Sequence, residues 1–248
     1  MTDVFFNKEE PVAIVTCEGF GFPNRNWDQK IISAVKKNPK CIVMPACHSV
    51  GEGSFRGLAY GGFLDITEVR GGIPIVLEPR WNLGIPEGGV VGCAIGGVYA
   101  FHKDWYRNIG GCSGMKGGGI MDLVAISLKT RLAGGSCIVL RDVIAEQEFK
   151  TERITSKDIN HQLLSGTNLS YSKIRLAMTS LPWGISTIVP TLLTGTPGLE
   201  KAMMDIMDDI KEIHQERECF EDVCGCSLTE AAAKAGITFG PFQKHAEF

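Results

Sequence analysis

Two stretches of this sequence gather residue types and spacings suited to chemistry. The denser is Gly114-Met115-Lys116-Gly117-Gly118-Gly119-Ile120-Met121-Asp122, where side-chain-free backbone runs into one carboxylate. Glycine lets a ligand come close to the main chain, and a single acid at a helix start gives such a surface one polar anchor. The alternative is that these glycines only make turns. The second is Glu146-Gln147-Glu148, at the end of an apolar run. Acids at alternate strand positions face one side, within reach of a metal or a substrate hydroxyl, or else stand as solvated edge charges. Two soft-ligand groups are weaker. His48 beside Cys47 lacks two further ligands. His214, Cys219, Cys224 and Cys226 would supply four to a zinc ion, but at a spacing that matches no common finger. Free thiols in a helical tail are the competing reading there.

The elements that must position these groups follow from periodicity. Pro11–Glu18 reads as a buried strand, and Trp27, Ile31 and Val35 mark one face of a helix. Asn38-Pro39 ends that helix, and residues 40–45 form the next strand. Strand, helix and strand in this order predict a βαβ unit with a parallel pair. Residues 46–90 read as a glycine-rich irregular insertion with one short edge strand near Ile73, placed as a mobile lid would be. Gly92–Ala100 is a small-residue strand. Asp122 opens a helix with Val124, Leu128 and Leu132 in a stripe, ended by Gly134-Gly135. Residues 137–145 are a strand. Residues 196–216 form one strongly amphipathic helix with Leu199, Met203, Ile206, Met207, Ile210 and Ile213 on one side. Ser227–Glu230 carries a capping box opening a last helix, too near the final residue to start a full helix-turn-helix.

Composition narrows the class. With 248 residues, 44% hydrophobic and 21% charged, the chain can bury one sizeable core. A net charge of −3 gives no bulk attraction to nucleic acid. No apolar run is long enough to span a bilayer and no signal peptide is read, so no membrane partner is expected. Nine cysteines, an odd number without framework spacing, point to reduced thiols and a cytoplasmic setting, that of the host if the source is viral.

The order of motifs adds a resemblance. Gly96-Gly97-Val98-Tyr99-Ala100-Phe101-His102, then Trp105-Tyr106 and Gly110-Gly111, then the glycine run, Asp122, and Ala133-Gly134-Gly135-Ser136-Cys137 follow one another. This block resembles the acceptor-side half of GT-A glycosyltransferases, especially the polypeptide N-acetylgalactosaminyltransferase-like branch. Cys17-Glu18, Trp27, Asn38-Pro39 and Ile42-Val43-Met44-Pro45 are similar to the segment preceding it, and Asn168–Met178 to an Asn-x-x-Arg-Ile-Ala segment in bacterial and viral relatives. The chain departs from the pattern in three places. The family's Trp-Gly-Gly-Glu becomes Lys116-Gly117-Gly118-Gly119, its metal-binding Asp-x-His falls on Ile14-Val15-Thr16, and its later metal-binding His falls on Gln147.

The resemblance implies an α/β fold: a partial GT-A-like, mostly parallel sheet with flanking helices, residues 1–167 as the acceptor-side domain and 168–248 as a helical C-terminal region. It implies transfer of a hexosyl or pentosyl group from a nucleotide-sugar donor such as a UDP-sugar to an acceptor hydroxyl on a DNA base, a protein or a glycan. Asp122 would be base or acceptor anchor, with Gly96, Gly97, Gly117, Gly118, Gly119, Trp81 and Arg80 lining donor or acceptor. Glu18 and Glu146 would be ligands of a divalent metal, Mn or Mg. The resemblance covers Pro11–Met178 and lacks the family's nucleotide-binding half. An apolar strand edge at Val12, Ile14 and Val15 is then expected to recruit a donor-binding partner subunit or a second copy, or to be covered by the helix at 196–216. The alternative class is a non-enzymatic acceptor-binding or scaffold subunit.

Overall fold

The computed structural model describes residues 2–5, 10–17, 20–50, 57–65, 69–70, 73–74, 78–116, 120–148, 159–182 and 198–237. The first elements are β1 (Thr2–Phe5), β2 (Val12–Cys17), β3 (Phe20–Gly21), α1 (Trp27–Lys37), β4 (Cys41–Val50) and β5 (Gly57–Ala59). Two small hairpin pairs follow, built from β6 (Gly62–Asp65), β7 (Val69–Arg70), β8 (Ile73–Pro74) and β9 (Glu78–Trp81). Then come β10 (Val90–Val91), β11 (Val98–His102), α2 (Lys103–Asn108), α3 (Ile120–Leu132) and β12 (Ser136–Glu148). The C-terminal helices are α4 (Ile159–Ser180), α5 (Leu199–Asp208), α6 (Ile210–Cys224) and α7 (Leu228–Lys234).

The class is α/β, as expected, with a central sheet in the order β1-β2-β11-β4-β12-β10. The sheet is mixed. β4 and β12 pair in parallel, whereas β11 runs antiparallel to both of its neighbours, β2 and β4. The expected direct pairing of residues 12–17 with 41–45 is therefore replaced. The two strands do run in the same direction, but β11 lies between them. Its Val98, Ala100 and Phe101 are buried, so it suits a central position better than an edge.

β4 also continues past Pro45 to Val50, through part of what reads in sequence as an irregular insertion. Proline removes a ladder donor and is usually kept to edges or bulges. Here Pro45 stands opposite Leu140, where the register with β12 shifts and residues 141–143 are extra. The bulge absorbs the missing donor, and the strand resumes at Ala46 opposite Ile144.

One face of the sheet packs on α1, where Ile31 and Val35 meet Val12, Ile14, Val43, Ala100 and Val143. The other face packs on α3 through Leu123 and Ile126 against Ile42, Met44, Ala46 and Val139. The stripe Val124, Leu128 and Leu132 faces away from the sheet and meets Tyr171, Ile174, Ile206, Ile213, Phe220 and Leu228 of the helical layer. α3 is thus covered on two sides, and each fully buried Leu or Ile there contributes about 1.5–3 kcal/mol.

Two expectations change. Within the amphipathic stretch 196–216, the described residues form two helices, with a break at Asp209 (φ −92°, ψ 5°). Ile206 and Ile213 are buried, whereas Met207, next to Ile206 and turned to another face of the same helix, is exposed. Nor does this segment cover the β2 edge: β1 pairs antiparallel with β2 there, from Thr2 opposite Cys17 to Phe5 opposite Ile14. The capping box at Ser227 and Glu230 is present at the start of α7.

Candidate functional site

Gly135, just past α3, packs so tightly on the Lys40 carbonyl that a Cβ would overlap it. The end of α3 therefore lies by the start of β4. Its beginning, with Asp122 in the first turn, points toward the carboxyl ends of β4 and β12. In open α/β sheets that edge is where ligands gather.

Asp122 is half-buried beside Tyr106 and Cys112. The Cys112 thiol donates to the Asp122 carbonyl at 3.4 Å, and the Cys112 N–H donates to the Tyr106 hydroxyl at 3.2 Å. Burial first, then the Asp122 charge, pushes the Cys112 thiol up to about 11. Burial, together with the neighbouring Cys112 and Asp122, also pushes the Tyr106 phenol up. Both stay neutral near pH 7. Asp122 completes this group, at a helix start where the first-turn dipole favours negative charge.

The segment leading to it is gripped from the helical layer. Ser172 Oγ accepts from the Lys116 N–H at 2.9 Å and donates to the Lys116 carbonyl at 2.8 Å. Lys116 Nζ donates to Asp205 Oδ2 at 2.9 Å and lies 3.8 Å from the Tyr171 ring centroid. Gly114 has φ +67°, and a Cβ there would overlap the Arg175 guanidinium. Lys129 Nζ donates to the Gly111 carbonyl at 3.2 Å. Gly117, Gly118 and Gly119 themselves lie outside the described residues, as does Glu18.

Trp81, at the end of β9, also lies at this edge. It packs on Cys47 and Ala59, and its Cη2 would stand 3.2 Å from a Cβ at Gly96, which has φ +102°. Glycine at 96 is thus required twice, by the backbone and by the indole. Gly97 is buried beside it. Arg80 is exposed, one position along the strand and so on its other face. β9 is tied down through Asn82, whose N–H donates to Gly61 and whose carbonyl accepts from Tyr60.

Glu146 sits opposite His48 across the parallel pair, with His48 Nδ1 3.4 Å from Glu146 Oε1. Sequence reading paired His48 with Cys47 instead. Cys47 is buried with Ala59 and Phe20, and burial pushes its thiol up to about 12. Neighbours on a strand face opposite sides, a signal available in sequence that argues against a Cys47–His48 ligand pair. The contact between 48 and 146 needs the register of two strands and is not legible locally. Beside this pair, the buried Ser49 Oγ and Gln147 Oε1 have no hydrogen-bond partner among the described residues, and the two residues are register partners.

Among the described residues no three His, Cys, Asp or Glu side chains gather to hold a metal ion. Ile14, Val15 and Thr16 are buried in β2 and offer no carboxylate. His214 and Cys224 are ten residues apart on α6, about 15 Å along a helix, so they share no ligand sphere. Among the described residues no helix is long and apolar enough to cross a membrane.

No protein-family model and no curated protein matches the chain. Among solved structures, the crystal structure of GalNAc-T7 with UDP, GalNAc and Mn2+ is similar over 82% of this chain and 42% of its own, at 15% identity and a TM-score of 0.46. The chain thus spans less than half the length of that neighbour.

Proposed function

We propose that the chain is a glycosyltransferase, or the acceptor-side subunit of one, moving a sugar from a nucleotide-sugar to a hydroxyl. The observation that carries this reading is the placement of Asp122. A carboxylate at the start of α3 and the Trp81–Gly96 contact both belong to the carboxyl edge of the sheet, and Asp122 follows the glycine run. Transfer of a glycosyl group needs an acceptor held against the donor, a base for its proton if configuration inverts, and stabilisation of the leaving diphosphate. Asp122 would accept or orient the acceptor hydroxyl. The Trp81 face would stack on a sugar ring, Gly96 and Gly97 would make room for the indole beneath it, and Gly117–Gly119 would admit the sugar close to the backbone. Arg80, exposed on β9, would meet the outer part of the acceptor.

A divalent cation held largely by substrate phosphates takes only one or two protein ligands. Glu146 with His48 offers that number, with Glu18 as a third candidate. Such an ion, Mn or Mg, would neutralise charge on the leaving diphosphate. The setting proposed is the cytoplasm, with a partner subunit or second copy supplying the donor-binding half.

The test is release or transfer of sugar from UDP-hexoses and UDP-pentoses, offered with DNA, glycan and peptide acceptors to the chain alone and together with a separately supplied donor-binding subunit. Turnover that disappears in Asp122→Asn supports the reading. Acceptor binding without turnover in either arrangement supports the second reading, a non-enzymatic acceptor-binding or scaffold subunit. That reading is favoured by Ile14, Val15 and Thr16 standing where the resembling family binds its metal.

A further inference from the structure

The opposite end of α3 carries a separate feature. A cleft of about 540 Å³ opens between β10, the turn from α3 into β12, and the last residues of α6 and α7. Its volume falls within the range of small-molecule sites. Asp122 and Leu132 are ten residues apart on one helix, about 15 Å, so this cleft is distinct from the edge just described.

The charges that line it are positive, although Glu221, outside the lining, lies near enough to act on Cys224. Arg131 and Lys234 line it, and none of its lining residues is acidic, although the whole chain carries −3. Arg131 Nη1 donates to the Gly92 carbonyl at 3.3 Å and Nη2 to the Ala235 carbonyl at 3.0 Å. Those two bonds fix the guanidinium between the sheet and α7. Neither Arg131 nor Lys234 has a carboxylate partner among the described residues. The carbonyls ending α3 would oppose an anion, but those of Lys129, Thr130 and Arg131 already accept from Ala133, Gly135 and Gly134. The rest of the wall is apolar or weakly polar: Val90, Val91, Leu132 and the thiols of Cys137, Cys224 and Cys226.

We propose that this cleft binds a small organic anion. A phosphate or carboxylate head lies between Arg131 and Lys234, and an apolar body rests on Val91 and Leu132. A guanidinium with donors to spare is suited to planar or tetrahedral oxyanions. A molecule held there touches β10, α3 and α7 together and so ties the helical layer to the sheet.

The cleft carries its own reporter. Cys226 lines it, whereas Cys219 is exposed on α6 and does not. The full chain is alkylated with iodoacetate or iodoacetamide, and labelling at the two cysteines is read by peptide mass spectrometry, with phenyl phosphate, hexanoate or inorganic phosphate as competitor. Phenyl phosphate is expected to protect Cys226 saturably at about 1 mM and to leave Cys219 unchanged. Lys234→Gln is expected to lower the iodoacetate-to-iodoacetamide ratio at Cys226, since both residues line the cleft, by up to about fivefold, the effect of one charge at contact distance in water. Arg131→Gln should abolish protection, and Lys234→Gln, at an exposed position, serves as the variant least able to disturb folding. Protection by hexanoate as well assigns a site open to carboxylates; protection by phenyl phosphate alone assigns a phosphate site. The proposal is overturned if neither organic anion protects Cys226, if inorganic phosphate protects as well as phenyl phosphate, or if protection persists in Lys234→Gln and Arg131→Gln alike. None of these outcomes bears on glycosyl transfer.

Discussion

The helical layer and the carboxyl edge of the sheet treat their charged groups differently. In the helical layer Arg175 and Lys129, each 1% exposed, face acids. Arg175 donates to Glu212 at 2.5 Å, to Glu216 at 3.1 Å and to the Tyr171 hydroxyl at 2.9 Å, and Tyr171 donates on to Asp209. Each region keeps two buried polar atoms without a hydrogen-bond partner among the described residues, Ser170 Oγ and Glu216 Oε1 in the helical layer and Ser49 Oγ and Gln147 Oε1 at the sheet edge, but the sheet edge leaves its charged pair, His48 and Glu146, half-exposed. A buried cation is kept only where acids pair with it, whereas a half-exposed pair can still take on a ligand. The first region is scaffold and the second is where a ligand would complete the bonding.

The sharpest way to break this contrast is to remove the scaffold's central charge. Arg175→Met leaves Glu212 and Glu216 without the guanidinium they share and is expected to cost about 3–5 kcal/mol, read from urea unfolding of the full chain. Because Arg175 also fills the space at Gly114, hydrogen exchange across residues 110–116 should rise in the same variant. A loss below about 1 kcal/mol, the scale of a surface pair, would show that the network is not what holds the layer.

At the other region the order of effects reverses. Asp122→Asn is expected to lower glycosyl transfer about 100-fold or more. Its unfolding free energy should change by no more than about 1 kcal/mol, the scale of a first-turn helix charge. Equal losses in stability and rate would place Asp122 with the scaffold. Gly96→Ala is intermediate: a side chain at positive φ costs about 1–2 kcal/mol, and the new methyl displaces Trp81. Tryptophan fluorescence should report the displacement, and unchanged emission with unchanged stability would remove Trp81–Gly96 from the site.

How much of this was legible in the sequence depends on the range of each interaction. The stripe Val124, Leu128 and Leu132, the stop at Gly134-Gly135 and the cap at Ser227 are local, and all three are found in place. The insertion of β11 between β2 and β4 is a choice among non-local pairings that alternating hydrophobicity does not encode. The contact of His48 with Glu146, 98 residues away, was illegible for the same reason. The burial of Lys129 and Arg175 was missed because cations on helices ordinarily read as solvated faces. Only the packing of α4 and α6 around α3 shows that they have no solvated face to occupy. Within 196–216, the break at Asp209 falls where no glycine or proline marks it.

The smallest effect tests the link between the two regions, at Lys116. Its ammonium bonds Asp205, which Lys201 also approaches at 3.3 Å. The Lys116 hydrogen bond, chiefly, holds the Asp205 carboxyl below its ordinary value, with Lys201 adding in the same direction. A carboxylate whose folded value is depressed binds fewer protons folded than unfolded within the window between the two values. Its stabilising contribution is therefore complete above the unfolded value, near 3.9, and is lost as pH falls through the folded value below it. Asp205→Asn should flatten the acid limb of the stability profile below about pH 4.5 and leave the slope from pH 6 to 8 unchanged. If Lys116 carries this contact to the glycine segment, amide exchange at residues 115 and 116 should accelerate in the wild-type chain over the same acid window and show no such step in the variant. Exchange that follows pH identically in both chains would separate Asp205 from the segment ahead of Asp122, leaving Ser172 and Tyr171 as its hold on the helical layer.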